Sequence, residues 1–270
     1  VSALRDDARA FGAVVLRDWR ITLSYRARFL STLASSFFSI VLFHFISRLV
    51  HVKSFATADA YFAYALIGLI SLQVLNSTLH APPGALRQEL VAGTFERFVL
   101  SPMGGVRGGL AMLMFPFVYA VLTGLLMLIF AAAVFGVHLE WTTLPLVIPV
   151  GLLGALSFAP FGVLFLATVL LAKQAISGAT FVVAGISLIA GLYFPVSLLP
   201  AWMRWMSNVQ PFTPAVDLMR HVMVGSHLHQ PLATELGKLV GFTAVLLPLS
   251  IWALAGALRV SRRRGTILEY

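Results

Sequence analysis

The stretch GGLAMLMFPFVYAVLTGLLMLIFAAAVFGV, from Gly108 to Val137, contains no Asp, Glu, Lys, Arg or His. A helix needs about 20 apolar residues to cross roughly 30 Å of hydrocarbon, and this run exceeds that length. Buried strands stop after a few residues, and soluble core helices do not run so far without a charge. Five further apolar runs lie on either side, at about 29–50, 60–80, 142–172, 175–194 and 236–258. The composition agrees. Of 270 residues, 59% are hydrophobic and 11% charged, against about 25% charged in soluble domains, and mean hydropathy is +0.92. A soluble globule and a disordered chain are both excluded. The expected fold is an all-α integral membrane protein with six transmembrane helices.

The runs differ in quality. Those at 108–137 and 142–172 are longer than a span requires, so they tilt or extend past the bilayer. The second of them carries Pro145, Pro149 and Pro160; its helix is expected to start after Pro149 and kink at Pro160. The join His138-Leu139-Glu140-Trp141 implies a tight helical hairpin. Only Lys173-Gln174 separates the next two runs, and a single re-entrant segment competes there with two spans. The first run follows Asp6, Asp7 and Asp18 and is longer than a signal-peptide core, so it is expected to remain as a span.

The net charge of +9 would suggest nucleic-acid binding in a soluble chain. Placing the charges removes that reading. With six spans both termini share a side, and 14 of the 19 basic residues fall on it, from Arg5, Arg9, Arg17, Arg20, Arg26 and Arg28 to Arg259, Arg262, Arg263 and Arg264. The positive-inside rule puts that side in the cytoplasm. The basicity reads as an orientation signal and a contact to anionic membrane lipids, with no nucleic acid as partner. Trp19 and Trp252 fall near the inner interface, and Trp141, Trp202 and Trp205 near the outer one. Residues 1–28 mix Leu4, Phe11, Val14, Val15 and Trp19 with arginines, as an interfacial amphipathic helix does; a short cytosolic helix is the plainer alternative. Residues 195–234 are broken by Pro195, Pro200, Pro211 and Pro214 and read as an outer cap of short re-entrant helices before the last span.

The spans show no engine. His44 is the one ionisable group near a span centre, and a lone His is more often a packing residue than a proton relay. Ion-coupled transporters carry intramembrane charges and often inverted repeats, neither of which is evident. There is no phosphate-binding G-x-x-x-x-G-K-[ST] loop, no H-E-x-x-H or G-x-S-x-G, and no cysteine. His221, His227 and His229 read as loop histidines, because a metal site needs more converging ligands. No cofactor is expected in this chain.

Polar residues look arranged in one place, the cytoplasmic loop at 82–102. Pro82 and Pro83 are expected to stop the preceding helix, and Ser101-Pro102 the following one. Between them Leu86, Leu90, Val91, Phe95, Phe98 and Val99 recur at helical spacing. Glu89, Gly93 and Glu96 share the opposite face. Two readings fit: a face that docks a cytosolic partner, or a solvated surface helix.

Glu89…Gly93-Thr94-Phe95-Glu96…Ser101-Pro102 resembles the E…G-T-x-E…S-P signature of ATP-binding-cassette permeases of the ABC-2 type, and its place between the second and third spans matches. Phe194-Pro195 through Pro200, Pro211-Phe212-Thr213-Pro214 and Arg220 are similar to that family's outer segment. Leu16-Arg17-Asp18-Trp19-Arg20 with Tyr25-Arg26 resembles its interfacial helix. The resemblance covers essentially the whole chain. It implies that 29–270 is one transmembrane domain with a cytoplasmic tail at 259–270. The loop is then a coupling helix, in which Glu89, Gly93, Thr94, Glu96 and Arg97 meet a separate ABC ATPase subunit. ATP and Mg²⁺ would sit on that subunit, so this chain is not an enzyme by itself. Pro195, Pro200, Pro211, Pro214 and Arg220 would be structural. A second permease copy is implied, as homodimer or heterodimer, in a bacterial-type plasma membrane. The near-chargeless, Phe-rich spans suit export of a lipid, glycolipid or hydrophobic drug. A polysaccharide or lipid-linked glycan is the rival cargo, and a non-transport scaffold that recruits a cytosolic partner is the rival class. Close-packing pairs at Ser187/Gly191 and Gly151/Gly154 carry little weight in chains this rich in small residues.

Overall fold

Lipid offers no hydrogen-bonding partner to a backbone, so each apolar run must satisfy its own N–H and C=O groups, which a helix does within one segment. The computed structural model describes residues 2–50, 55–100, 104–137, 140, 142–172 and 176–263. Ser101-Pro102, most of the join at 138–141, Lys173-Gln174 and the tail beyond Arg263 lie outside them. The elements are α1 Ser2–Ser24, α2 Arg26–Leu49, α3 Ala58–Val91, α4 Phe95–Leu100 and α5 Gly104–Phe135. They continue with α6 Leu144–Ala172, α7 Ile176–Ile189, a 3₁₀ turn at Val196–Leu198, α8 Ala201–Asn208, α9 Phe212–Val224 and α10 Leu232–Arg263. The described residues contain no strand, and the fold is all-α.

Helices α2, α3, α5, α6 and α10 are long and apolar enough to cross a membrane. Their hydroxyls are folded back onto the helix: Ser36 donates to the Thr32 carbonyl at 2.9 Å, Thr78 to Val74 at 2.8 Å and Ser157 to Gly154 at 2.6 Å, which removes the cost of a bare donor in lipid. Thr57 caps α3, its side chain accepting from the Ala60 N–H at 3.1 Å.

The expected fifth span is corrected. Helix α7 has 14 residues and so is about 21 Å long, and it stops at Ile189 instead of reaching 194. Gly191 then takes φ +69°, a conformation that glycine adopts without strain, and turns the chain. Gly191 is thus a turn residue and not half of a packing pair. The segment after it is tied to α3: Gly191 and Tyr193 accept hydrogen bonds from Tyr64 and Tyr61, near the start of that helix.

Two proline expectations are also corrected. Pro82 and Pro83 lie inside α3 and are buried, and α6 begins at Leu144 with Pro149 in its interior. A proline inside a helix deletes a hydrogen bond, at about 3 kcal/mol in an isolated helix. Packing offsets this loss at Pro82. The Thr78 carbonyl, deprived of its N–H donor, lies so close to Gly162 of α6 that a Cβ there would sit 2.5 Å from the oxygen.

Helix α1 and the end of α10 each join one end of the bundle by polar contacts. Arg17 of α1 pairs with Glu89 near the end of α3 at 2.9 Å, and Ser261 of α10 donates to the Leu170 carbonyl of α6 at 3.0 Å. A cluster of Leu86, Leu90, Phe95, Met112, Leu166, Leu254 and Leu258 welds that end together. At the opposite end α9 is not a loose cap. Phe212, Ala215, Val216, Leu218 and Met223 are buried among α3, α5 and α6, and Phe212 stacks on Phe158 at 4.4 Å.

Candidate functional site

At 1.5 Å per residue, the 34 residues of α3 span about 51 Å, so it outruns the hydrocarbon and projects its last turns beyond it. The segment there is not one helix. The Gly93 N–H bonds the Leu90 carbonyl at 3.1 Å and the Thr94 N–H bonds the Glu89 carbonyl at 2.9 Å, while Gly93 adopts φ +67°. That pair of bonds around a left-handed residue is the Schellman ending of a helix. The expectation that Glu89, Gly93 and Glu96 share one continuous face is therefore corrected: Gly93 ends α3, and Glu96 sits in the first turn of α4, where a carboxylate suits the helix dipole.

The sequence-predicted residues divide by role. Glu89 is turned inward. It receives Arg17 at 2.9 Å, and the Thr94 hydroxyl donates to its carboxylate. The Arg17 guanidinium also lies over the Phe98 ring, 5.5 Å from its centroid, and bonds Asp18 at 2.8 Å. Phe95 is fully buried in the apolar cluster, and Phe98 presses on α5, where a Cβ at Gly108 would come within 3.0 Å of it. Gly93 and Arg97 are exposed. Beside them Val91 is 63% exposed and Leu100 83% exposed. Sequence reasoning counted Val91 on the buried stripe and attached no role to Leu100. It also missed Arg17 as Glu89's partner, which pairing across 72 positions leaves no local signal to find. The tip that reaches solvent is thus Arg87, Val91, Gly93, Arg97 and Leu100, a basic and apolar knob held in shape by Glu89 and Thr94.

The outer-segment residues build a second constellation at the opposite end. Arg220 of α9 is fully buried. Its guanidinium donates to the carbonyls of Gly191 and Leu192, both at 2.9 Å, and of Tyr64 at 3.3 Å. It also lies over the Tyr64 ring, 3.4 Å from the centroid, and 3.5 Å from the Asp217 carboxylate. A planar five-donor fork suits three diverging carbonyls. Two of them, those of Gly191 and Leu192, belong to the turn that follows α7, so Arg220 ties that turn to α3 at Tyr64. Gly68 of α3 makes room, since a Cβ there would collide with the Leu192 carbonyl. Pro195 and Pro200 precede the 3₁₀ turn and α8, and Pro211 precedes α9, each standing just before the first helical residue; Pro214 is buried in the first turn of α9.

Asp217 closes the constellation by pairing with His229, whose Nδ1 lies 2.9 Å from its Oδ2. The carboxylate at that distance holds the His229 pKa above its ordinary value, against the opposing effect of partial burial. The ring of His221 lies 2.8 Å from the Ser226 carbonyl. Among the described residues no three His, Asp or Glu side chains converge as metal ligands would. His44 packs against Phe135 at 4.2 Å and Phe62 at 4.9 Å.

The two constellations stand at opposite ends of the bundle. One is a projecting knob and the other a structural clamp. A family model described as ABC-2 type transporter matches residues 9–224, which include the knob and Arg220 with Asp217 but not His229. No curated protein matches the chain at a significant level.

Proposed function

The chain belongs to the ABC-2 type transporter family and is a multi-pass membrane permease component; from that premise we propose that it is the permease subunit of an exporter driven by a separate ATP-binding subunit. The observation that carries this reading is the solvent-exposed knob. Val91 and Leu100 are large apolar side chains left uncovered on a segment beyond the hydrocarbon, and such groups mark a contact surface. A groove in the ATP-binding subunit covers them, with Gly93, Glu96 and Arg97 at the contact and Glu89 and Thr94 holding its shape. ATP and Mg²⁺ bind on that subunit. Its closure moves the knob, and the knob is continuous with α3 and welded to α5, α6 and α10.

Both termini and the knob face the cytoplasm of a bacterial-type plasma membrane, as the basic bias of that end supports. Two copies form the pathway. Helix α2 is the least covered of the long helices, with Phe38, Phe45 and Leu49 exposed, and Phe181 of α7 is 81% exposed. These faces meet the second copy or the cargo. The cargo is amphipathic, a lipid, glycolipid or hydrophobic drug, because the uncovered faces are aliphatic and aromatic. The test is reconstitution with the ATP-binding subunit in liposomes. The expected result is ATP-dependent movement of a labelled lipid away from the side that holds the ATP-binding subunit. Undiminished flux when Val91 and Leu100 are both changed to Asp would overturn the reading.

A further inference from the structure

Helix α1 and helix α5 enclose a groove of about 740 Å³, whose lining is almost wholly apolar. Phe11, Val15 and Trp19 form one wall, and Met114 and Val118 the other. The two walls differ in kind. Helix α1 is an amphipathic helix packed at Trp19 against Phe115 of α5, with ring centroids 6.3 Å apart, whereas Met114 and Val118 belong to a helix that crosses the hydrocarbon. A groove between such walls begins at headgroup depth and continues into the acyl region. Met114 adds an adaptable lining.

Its rim is charged. Arg9, Leu16 and Arg20 follow one another along the same side of α1 by helical spacing. Arg9 and Arg20 are exposed, and neither makes an ion pair among the described residues, while the nearby Asp18 is already taken by Arg17 at 2.8 Å. An apolar trough edged by exposed guanidiniums complements a chain attached to an anion. We propose that this groove binds one anionic phospholipid, an acyl chain lying against Phe11, Val15, Met114 and Val118 and the phosphate at Arg9 and Arg20. The bound lipid braces α1, and α1 carries Arg17, which holds Glu89 of the knob. The inference does not depend on the direction of transport or on the cargo.

Native mass spectrometry of the delipidated full chain, titrated with phosphatidylglycerol or with phosphatidylcholine of the same acyl chains, tests it. The wild-type chain is expected to retain one phosphatidylglycerol at roughly tenfold lower concentration than phosphatidylcholine, each basic residue near the headgroup contributing to the preference. The double change Arg9→Gln with Arg20→Gln removes the preference and leaves phosphatidylcholine binding unaltered. Gly12→Phe fills the groove and abolishes retention of both lipids. A Cβ at Gly12 meets nothing within 4 Å, so the helix accepts the change, and an unaltered melting temperature verifies that. Equal retention of the two lipids, as for lipid in the general annulus, would overturn the proposal. So would retention undiminished in Gly12→Phe, or protection of the groove only in a dimer of the chain.

Discussion

Arg220 shows how one side chain decides a local fold. A buried guanidinium is costly to desolvate, and it persists here because three carbonyls, an aromatic face and Asp217 surround it. Arg220→Leu leaves the Gly191 and Leu192 carbonyls bare and Asp217 with His229 alone as its cationic partner. A loss of about 3 kcal/mol or more is expected, read as a large fall in melting temperature in detergent. Arg220→Lys restores the charge but not the fork, and is expected to recover only part of that loss. His229 acts in the same constellation with a pH signature. Asp217 raises its pKa in the folded chain, so folding favours the protonated ring. That stabilisation is complete below about pH 6.5 and is lost as pH rises through the raised folded value. The melting-temperature gap between wild type and His229→Asn should therefore be widest in mild acid and close in mild alkali; a gap independent of pH would remove the ionic contact from the account. At the knob, Arg17 is partly exposed, so its pairing with Glu89 is worth no more than about 1 kcal/mol. A double-mutant cycle of Arg17→Ala and Glu89→Ala measures it.

Helix α3 links the two ends of the molecule. It joins the clamp at Tyr64 and Gly68 to the knob at Val91, with Pro82 and Pro83 between. At Pro82, Gly162 lets α6 approach the carbonyl that the proline frees. Gly162→Ala and Gly68→Ala each force a Cβ into a backbone carbonyl, and each is expected to cost about 1–3 kcal/mol. Gly84→Ala in the same stretch of α3 meets nothing within 4 Å and should be neutral or slightly stabilising; thermal unfolding of the three variants checks both statements. These contacts also explain what could be read in advance. Span length and the absence of charge are local properties, so the long helices were legible. The ending at Gly93 was legible too, since a glycine after the last periodic leucine is a helix-stop signal, which the expectation of one continuous face through Glu89, Gly93 and Glu96 passed over. Tolerance of Pro82 was not legible, because it rests on Gly162, 80 positions away. The end of α7 had a local mark in Gly191, which turns the chain, whereas the donor that serves the carbonyls of that turn, Arg220, lies on a later helix and left no local signal.

The whole molecule is a bundle with two unlike ends. At one, α9 is tied down by Arg220; at the other, α1, α4 and α10 gather around a knob with exposed apolar tips. The uneven cover of its helices, with α2 and Phe181 bare, fits a subunit completed by other chains. The central claim is that the knob docks an ATP-binding subunit, and because the chain has no cysteine, single cysteines report position without background. Arg97→Cys, Leu100→Cys and, at the opposite end, Trp202→Cys, an exposed site on α8, would each carry a short photo-reactive maleimide in the complex co-expressed with its ATP-binding subunit. The account predicts cross-links to that subunit from positions 97 and 100 and none from position 202. Cross-links from 202 with silence at 97 and 100 would contradict it.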